Sequence, residues 1–519
     1  MKVCSSCSCA AAVLAIAMYA TGARGQEAGR ALAEPYLPSD HWSQDALRRL
    51  AGLGLVDAGA ALAAWPMRRN EVRAWLQTAS EAGSGHEAFI ALDALSRFDA
   101  EYPAAGAATF ATVRLRTGWI RTDDAMRAGE TVRDETGKFV YPGPVGLAGQ
   151  NHVRAGTVVD AGWRRLTAAV GVSTAGEDNV EEAWAAFDAG PLDLWAGRRS
   201  LGFGAARAGT IVLAPRVPLD GLGIRTSRAL HLPGFLGVLG SVRGAMLVSR
   251  FESSGDVESP WFWAASLRLS PTAGFSIGLN RAAIFGGADN VQSLSARNVA
   301  LMLMGLTSQL GKDSGFENQV ASLDVWARTR AAGVPLALYG EIGIDDVGFS
   351  LFKAASFVAG IELPAVPGVR ALSLGLEHAR FPASCCGHPA WYRHGSLGSG
   401  WTDGGRLLAN SLGGHGSEWT LHLGTASDRI TVDGRFFARR RGEENLFAPD
   451  REGSSRGIAL RLSLPTSQSL LFRLAGELEG GDDWHAWSSD IGLQFLVGPR
   501  GPALTSTAHQ DVRTRSKTD

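Results

Sequence analysis

The groups best suited to chemistry lie in a glycine-rich stretch at residues 382–417. Its aromatic and charged side chains include Trp391, Tyr392, Arg393, His394, Trp401 and Asp403. An aromatic face beside a cation, an imidazole and a carboxylate can stack on a sugar ring and hydrogen-bond its hydroxyl or carboxylate groups. We therefore predict a polysaccharide contact at these six residues. Packing of the rings within the loop is the alternative.

The other short motifs do not point to an enzyme. The glycine-rich run at 202–209 lacks the spacing of a dinucleotide fingerprint and the Gly-Lys-Ser/Thr ending of a phosphate-binding loop. Cys385 and Cys386 are adjacent, which does not suit the ligand spacing of a tetrahedral metal site; we expect a loop thiol pair or a local disulfide. We expect a solvated turn at 482–485. The sequence thus predicts no catalytic residue, no metal and no cofactor.

The N-terminus and the charge balance narrow the class of protein. Residues 1–25 have the features of a secretory signal, with Lys2, a short apolar run and a small-residue cleavage site at 23–25. No later stretch has the roughly 20 apolar residues that a membrane helix needs. The net charge of −1 gives no electrostatic basis for binding nucleic acid. We therefore predict an exported protein that does not bind nucleic acid.

Apolar and polar residues alternate from Thr109 onward, which is typical of strands with one apolar and one polar face. Seventeen such segments lie at 110–120, 153–163, 166–173, 183–189, 192–198, 242–251, 261–269, 275–281, 320–327, 335–342, 356–363, 372–378, 419–424, 430–438, 457–464, 470–477 and 486–497. Bacterial barrels have an even number of strands. The pattern predicts an all-β fold, an antiparallel transmembrane β-barrel of about 16–18 strands over 109–497, with a polar tail at 498–519. Tryptophans that flank the strands are expected to form interfacial girdles.

Three arginines in this region are further candidates for binding an acidic sugar. Arg198, Arg199 and Arg281 lie at polar positions or ends of the predicted strands. A cation on the lipid face of a barrel costs roughly 2–4 kcal/mol at mid-depth, so we expect these side chains in the lumen or at the rim. The alternative is an internal network in which they pair with Asp and Glu.

Residues 26–103 are predicted to form a small periplasmic bundle of three amphipathic helices. The first helix lies between Ser43, its N-cap, and Gly54, its stop, and Asn70 caps the second. The third carries an apolar stripe of Phe89, Leu92, Leu95 and Phe98.

The first half of this region resembles a surface-layer-homology module. The resemblance rests on the His-Trp start at 41–42, Leu50 and Gly54 in the middle, and Arg-Arg-Asn-Glu-Val at 68–72. It implies a contact with peptidoglycan. Packing of the helices against the mouth of the barrel is the alternative.

Several phrases after residue 190 resemble, in order, the Wzi family of outer-membrane capsule-assembly proteins. They lie at 195–198, 201–204, 213–222, 279–287, 318–324, 338–341, 392–394 and 410–414. The resemblance implies a barrel of about 18 strands, covered at its periplasmic end by helices, that holds capsular polysaccharide without synthesising it. The phrase Glu-His-Ala-Arg at 377–380 differs from the family, because it ends in Arg380 where an acidic residue is expected.

These observations predict a non-enzymatic protein of the cell outer membrane that binds and organises capsular or exopolysaccharide. Its expected partners are that polysaccharide, outer-membrane lipid and, through the helical region, peptidoglycan. The alternative is a porin-like channel with a helical module that binds the cell wall.

Overall fold

The structure is a computed structural model. It describes residues 34–39, 41–102, 109–122, 132–133, 139–140, 151–174, 180–215, 217–251, 253–254, 257–288, 290, 294–304, 317–345, 355–369, 371–383, 391–392, 397, 400–403, 406–427, 430–443, 445, 452–467 and 470–497. The predicted signal at 1–25 and the tail at 498–519 lie outside these residues, as do Cys385 and Cys386.

Eighteen long strands form a closed antiparallel barrel. They are β1 (Thr109–Thr122), β2 (Asn151–Trp163), β3 (Leu166–Ser173), β4 (Val180–Asp188), β5 (Leu192–Ser200), β6 (Pro218–Thr226), β7 (Ser241–Arg250), β8 (Trp261–Thr272), β9 (Phe275–Phe285), β10 (Glu317–Ala331), β11 (Val334–Asp345), β12 (Ser356–Leu363), β13 (Leu372–Phe381), β14 (Gly416–Ala426), β15 (Thr431–Arg441), β16 (Gly453–Ser467), β17 (Leu470–Gly480) and β18 (His485–Val497). Each strand pairs with the next along the chain, and β18 pairs with β1 from Thr122 opposite Ser488 to Val113 opposite Val497. The predicted barrel and its even strand number are confirmed.

Short paired segments decorate the connections between the long strands. Leu230–His231 pairs with the start of β7, and a 3-10 helix covers Gly234–Leu239. Three two-residue ladders join Val132–Arg133 to Phe139–Val140, Ser253–Ser254 to Val257–Glu258, and Thr402–Asp403 to Arg406–Leu407.

The alternation in sequence gives the barrel two different faces. On β13 and β14, Leu376 lies opposite Leu421 and both are exposed on the outside. The next pair, Glu377 and Thr420, is buried on the inside. An apolar outside and a polar inside are typical of a barrel in a membrane.

One barrel strand, β6, is absent from the seventeen predicted. Two glycines, Gly221 and Gly223, weaken its apolar-polar contrast. The second is required by packing, because the ring of Trp195 lies across it and a Cβ there would be 2.2 Å from that ring.

The N-terminal region forms α1 (Ser43–Leu53), α2 (Ala58–Ala61), α3 (Arg69–Ala82) and α4 (Gly85–Glu101). Gly54 ends α1 in the left-handed conformation, as its position in the sequence predicts. α2 is an additional short helix. In α4 the buried face differs from the predicted stripe, since Phe89 is exposed and Ile90, Ala94 and Phe98 are buried. Among the described residues, no helix is long and apolar enough to cross a membrane.

The described residues of 34–102, which are these helices and the segments that precede and join them, are called here the bundle. The bundle covers the end of the barrel where β1 begins. The Ala58 N–H donates to the carbonyl of Ala273, in the short turn between β8 and β9. Most strands are joined by short turns at this end, whereas residues 123–150, 286–316 and 382–415 join strands at the other end. We call these the short-turn end and the long-loop end.

Candidate functional site

Two segments from the long-loop end fold into the barrel. The first inner segment is the described residues of 201–217, and the second inner segment is the described residues of 391–415. Both supply side chains to one buried apolar cluster inside the barrel, among them Ile211, Leu213, Trp401 and Leu408. The Ala214 N–H donates to the Leu408 carbonyl at 2.8 Å, so the segments also contact each other through their backbones.

The three aromatic residues predicted to stack on a sugar are brought together, but inside the barrel. Trp391, Tyr392 and Trp401 are 2%, 0% and 0% exposed. The Tyr392 hydroxyl donates to the carbonyl of Ile211 at 2.8 Å, and Trp401 Nε1 donates to that of Val212 at 2.9 Å. The rings therefore hold the two inner segments together, and the expectation of an open stacking face is wrong for them. The reason is that the polar groups of Tyr392 and Trp401 find backbone partners in the interior, and the ring of Trp391 packs edge-on against Phe381.

Of the three polar residues in the predicted site, the structure describes Asp403. Asp403 is half-buried in the short ladder of Thr402–Asp403 with Arg406–Leu407. Arg393 and His394 lie outside the described residues.

Two barrel carboxylates that the sequence did not single out hold the first inner segment. Glu377 accepts the N–H groups of Arg207 at 2.7 Å and Ala208 at 3.1 Å. Glu341 accepts the N–H of Ile211 at 3.2 Å. A carboxylate at an inward position of a barrel strand is the signal that could have found them. Their acceptor oxygens satisfy backbone donors that would otherwise be buried without partners.

The three predicted arginines do not form one group: Arg198 and Arg199 are consecutive on β5 but point to opposite faces, and Arg281 lies on β9. Arg199 faces the lumen, as predicted, and its guanidinium lies 3.6 Å from the centroid of the Tyr36 ring. Arg198 faces outward and pairs with Asp220 at 2.9 Å. The structure thus places a single member of the trio inside the barrel.

Arg281 also points to the outer face, so the expectation of a lumen position is wrong for it. A helix, α5 (Ala296–Met304), packs on that face over Trp261 and Trp263. Arg281 donates to the carbonyls of Leu303, at 2.8 Å, and Met302. The carbonyl end of a helix attracts a cation, which explains why this arginine tolerates the outer face.

A cavity of about 530 Å³ lies beside the inner segments. It is bounded by the first inner segment, the bundle, and the barrel wall of β1 and β15–β18. The wall contributes Arg116, Asp433, Arg435, Arg461, Arg473, Glu477 and Asp490. Arg435 and Glu477 lie 3.6 Å apart. Closely mixed charges of both signs suit a ligand rich in hydroxyl and carboxylate groups.

The bundle side of the cavity includes two groups with shifted pKa values. Burial lowers the pKa of His41 in spite of the nearby Glu101 carboxylate. Burial alone would lower the pKa of Arg207, but Asp45 and Glu362 raise it above its usual value. Arg207 therefore remains a cation where the first inner segment meets the bundle.

The described residues contain no arrangement typical of catalysis. No group of three His, Cys, Asp or Glu among them could hold a metal ion. A Gly-x-Ser-x-Gly run at 453–457 lies in the continuous strand β16 and not in the strand-to-helix turn that such a nucleophile needs. Its Ser455 hydroxyl donates to Glu479 at 2.5 Å.

Comparisons with known proteins point in one direction. The model of the family described as capsule assembly protein Wzi matches residues 71–481. No curated protein matches the chain. Among solved structures, Wzi of Escherichia coli, described as an outer-membrane, carbohydrate-binding β-barrel involved in group 1 capsule assembly, is similar with a TM-score of 0.68 and 18% identity, over 88% of this chain and 98% of that one.

Two further solved structures are more distant. Pseudomonas aeruginosa OpdO has a TM-score of 0.44 and 12% identity, over 75% of this chain and 97% of its own. Acinetobacter baumannii OccAB2 has a TM-score of 0.45 and 9% identity, over 75% and 98%.

Proposed function

Because the chain belongs to the capsule assembly protein Wzi family, we propose that it is an outer-membrane barrel that binds and organises capsular or exopolysaccharide at the cell surface. The role is non-enzymatic, so the glycan is held and not modified. The apolar outer face of the barrel supports a position in lipid, since residues such as Leu376, Leu421 and Phe436 are exposed there.

The observation that carries this proposal is the occupied interior of the barrel. The bundle covers the short-turn end, and the two inner segments fill much of the lumen with buried side chains such as Ile211, Tyr392 and Trp401. An open channel needs a continuous aqueous path, whereas a protein that holds a polymer needs a rigid support. A filled barrel favours holding over conduction.

We place the glycan contact at Asp403 of the second inner segment and at Arg393 and His394, which follow Tyr392 in the sequence. The buried rings of Trp391, Tyr392 and Trp401 support the contact by anchoring the segment, so these three are positioning residues. Rigid support of a polar contact preserves affinity, because little side-chain and backbone freedom is lost on binding.

The test removes the polar groups and keeps the anchors. The triple variant R393A/H394A/D403A should release surface glycan into the medium while the barrel keeps its heat-modifiable migration. The matched control is R198A/D220A, which removes one ion pair from the outer face of β5 and β6. If the triple variant retains as much surface glycan as the parent, this segment is not the contact.

The cavity beside the inner segments favours one second candidate, a porin-like channel. It extends from the bundle residues Tyr36 and His41 to Val180 and Pro218, near the long-loop end. Conductance of the purified protein in planar bilayers separates the two functions. We expect little steady conductance, and an open-porin current together with normal glycan retention would favour the channel.

A peptidoglycan contact through the bundle stays a prediction. The residues of the surface-layer motif have other partners in the structure. Arg68 pairs with Asp193 at 2.9 Å, and His41 and Trp42 both contact Glu101. Co-sedimentation of the full chain with purified peptidoglycan tests the prediction. Binding of capsular or exopolysaccharide chains, measured separately, reports on the barrel.

A further inference from the structure

A row of three arginines lies on the outer face near the long-loop end. Arg380 on β13, Arg440 on β15 and Arg456 on β16 are exposed; together they are called the outer arginine row. Their outward direction follows from their neighbours, since Arg439 and Arg441 point inward and bond Glu418 and Glu479.

The strand register brings the three arginines close together. Arg380 lies opposite Ser417, Ser417 lies opposite Arg440, and Arg456 pairs with Ala438, two residues from Arg440. Neighbouring strands are about 4.8 Å apart, so the backbones of Arg380 and Arg440 are roughly 10 Å apart. Long flexible side chains can close that distance around one multivalent anion.

The row lacks a protein counter-charge in the part of the chain that the structure describes. None of its members forms an ion pair there. Ser417 and Ser454, its outward neighbours on β14 and β16, are uncharged. This distinguishes the row from Arg198, which pairs with Asp220 on the same outer face.

An aromatic layer lies directly beside the row, toward the middle of the barrel wall. The Trp419 ring stacks on His378 with centroids 4.2 Å apart, and Phe357 contacts His378 edge-on at 5.5 Å. Trp419 is 53% exposed. Further from the long-loop end, the same strands expose Leu376 and Phe436.

Along these strands an apolar belt is followed by an aromatic layer and then by cations. The same order of groups is found across a membrane–water interface. We propose that the outer arginine row binds the phosphates of a phosphorylated, multiply acylated glycolipid in the outer leaflet, with its acyl chains on the apolar belt. Guanidinium groups bond phosphate oxygens in a bidentate manner. Three of them span more than one phosphate, which favours a glycolipid with two phosphates over a phospholipid with one.

This inference rests on the outer-membrane position in the proposed function but not on polysaccharide binding. The test therefore uses purified protein in detergent and lipid A as the probe, with native mass spectrometry to measure bound lipid. Each arginine near an anionic lipid surface contributes about fivefold in affinity. The variant R380Q/R440Q/R456Q should therefore bind bisphosphorylated lipid A about 100-fold more weakly than the parent.

The matched control is R250Q. Arg250 is also exposed and outward on β7, but it lies 5.5 Å from the ring of Trp261 and stands apart from the row. The R250Q variant should bind lipid A as tightly as the parent protein does. Lipid A without phosphates should bind the parent and the triple variant equally weakly.

Two results would overturn the proposal. One is unchanged binding of bisphosphorylated lipid A by the triple variant, provided that heat-modifiable migration shows its barrel to be folded. The other is equal competition by phosphatidylglycerol, which would show a general preference for anionic lipid. Glycan retention by cells that carry the triple variant reports separately on the proposed function.

Discussion

The bundle covers the short-turn end of the barrel and the first inner segment lies inside the barrel, and different contacts hold the two in place. The bundle is held by buried ion pairs, such as Arg68 with Asp193 at 2.9 Å and Arg69 with Asp160 at 2.5 Å. The first inner segment is held by hydrogen bonds from its backbone to Glu377 and Glu341. The contacts of the bundle use its own arginine side chains. The contacts of the first inner segment use its backbone, so the side chains in them belong to the barrel wall.

This difference determines what each region tolerates. A buried ion pair that loses one partner leaves an uncompensated charge, which costs about 3–5 kcal/mol. A backbone donor that loses its acceptor costs about 1–3 kcal/mol. The bundle should therefore be more sensitive to single charge changes than the first inner segment is to loss of a carboxylate.

The largest change to the molecule is removal of the bundle. Deletion of residues 26–103 should leave a barrel that still inserts and gives a β-rich circular dichroism spectrum, because β1 closes on β18 through its own backbone pairs. Asp193 and Asp160 keep Arg225 and Arg114 as partners. Loss of the β-signal on deletion would show that the two regions do not fold separately.

The next effect compares two aspartates on neighbouring strands. Asp193→Ala leaves Arg68 and Arg225 without their shared carboxylate inside the barrel, and we expect a loss of about 3–5 kcal/mol in the free energy of unfolding. Asp220→Ala removes the partner of the outward Arg198. Because Asp220 is largely exposed, that change should cost at most about 1 kcal/mol.

Urea unfolding in lipid vesicles measures both variants. Equal losses in the two would contradict the idea that buried charge, and not the mere presence of an ion pair, holds the bundle.

A smaller and local effect is expected in the first inner segment. Glu377→Ala removes the acceptor of the Arg207 and Ala208 N–H groups and of the Tyr339 hydroxyl. We expect about 1–3 kcal/mol of lost protection, seen as faster hydrogen exchange at 205–211 with unchanged exchange in α1. Glu377→Gln keeps one acceptor oxygen, so its exchange rate at 205–211 should lie between those of Glu377→Ala and the parent. Faster exchange throughout the bundle would show that the two regions are not held independently.

Much of the fold could be predicted from the sequence because the barrel wall repeats one simple pattern. Inward and outward positions differ in polarity on nearly every strand, and the exception, β6, contains Gly221 and Gly223 where that contrast is weak. The end of α1 followed from Gly54, whose missing side chain permits the left-handed conformation.

The interior could not be predicted in the same way. Tyr392 and Trp401 look like loop aromatics in sequence, and only the three-dimensional structure brings them to the carbonyls of Ile211 and Val212. Such contacts use backbone groups, which every residue possesses. No residue type marks them, so side-chain pattern alone cannot identify a segment that folds into the lumen.

The smallest effect concerns pH and a buried histidine in the bundle. The Ser43 N–H donates to Nδ1 of His41 at 3.3 Å, so the ring proton lies on Nε2, 3.2 Å from Glu101. Burial holds the pKa of His41 below its usual 6.5. As the pH falls below 6.5, the unfolded chain takes up a proton that the folded chain does not, and stability falls by at most about 1.4 kcal/mol per pH unit.

His41→Gln should abolish this loss, because it keeps a donor near Glu101 but cannot titrate, and the exposed His485→Gln should leave it intact. Burial would raise the pKa of Glu101, but that pKa is lowered overall, with the Trp42 hydrogen bond and the Arg473 charge among the causes. The contribution of Glu101 to stability is therefore lost only below about pH 4.5. Heat-modifiability midpoints from pH 7.5 to 5.0 therefore isolate the histidine. An equal decline in His41→Gln would mean that the pH dependence arises elsewhere, and that buried charge pairs rather than this neutral histidine limit the bundle in that range.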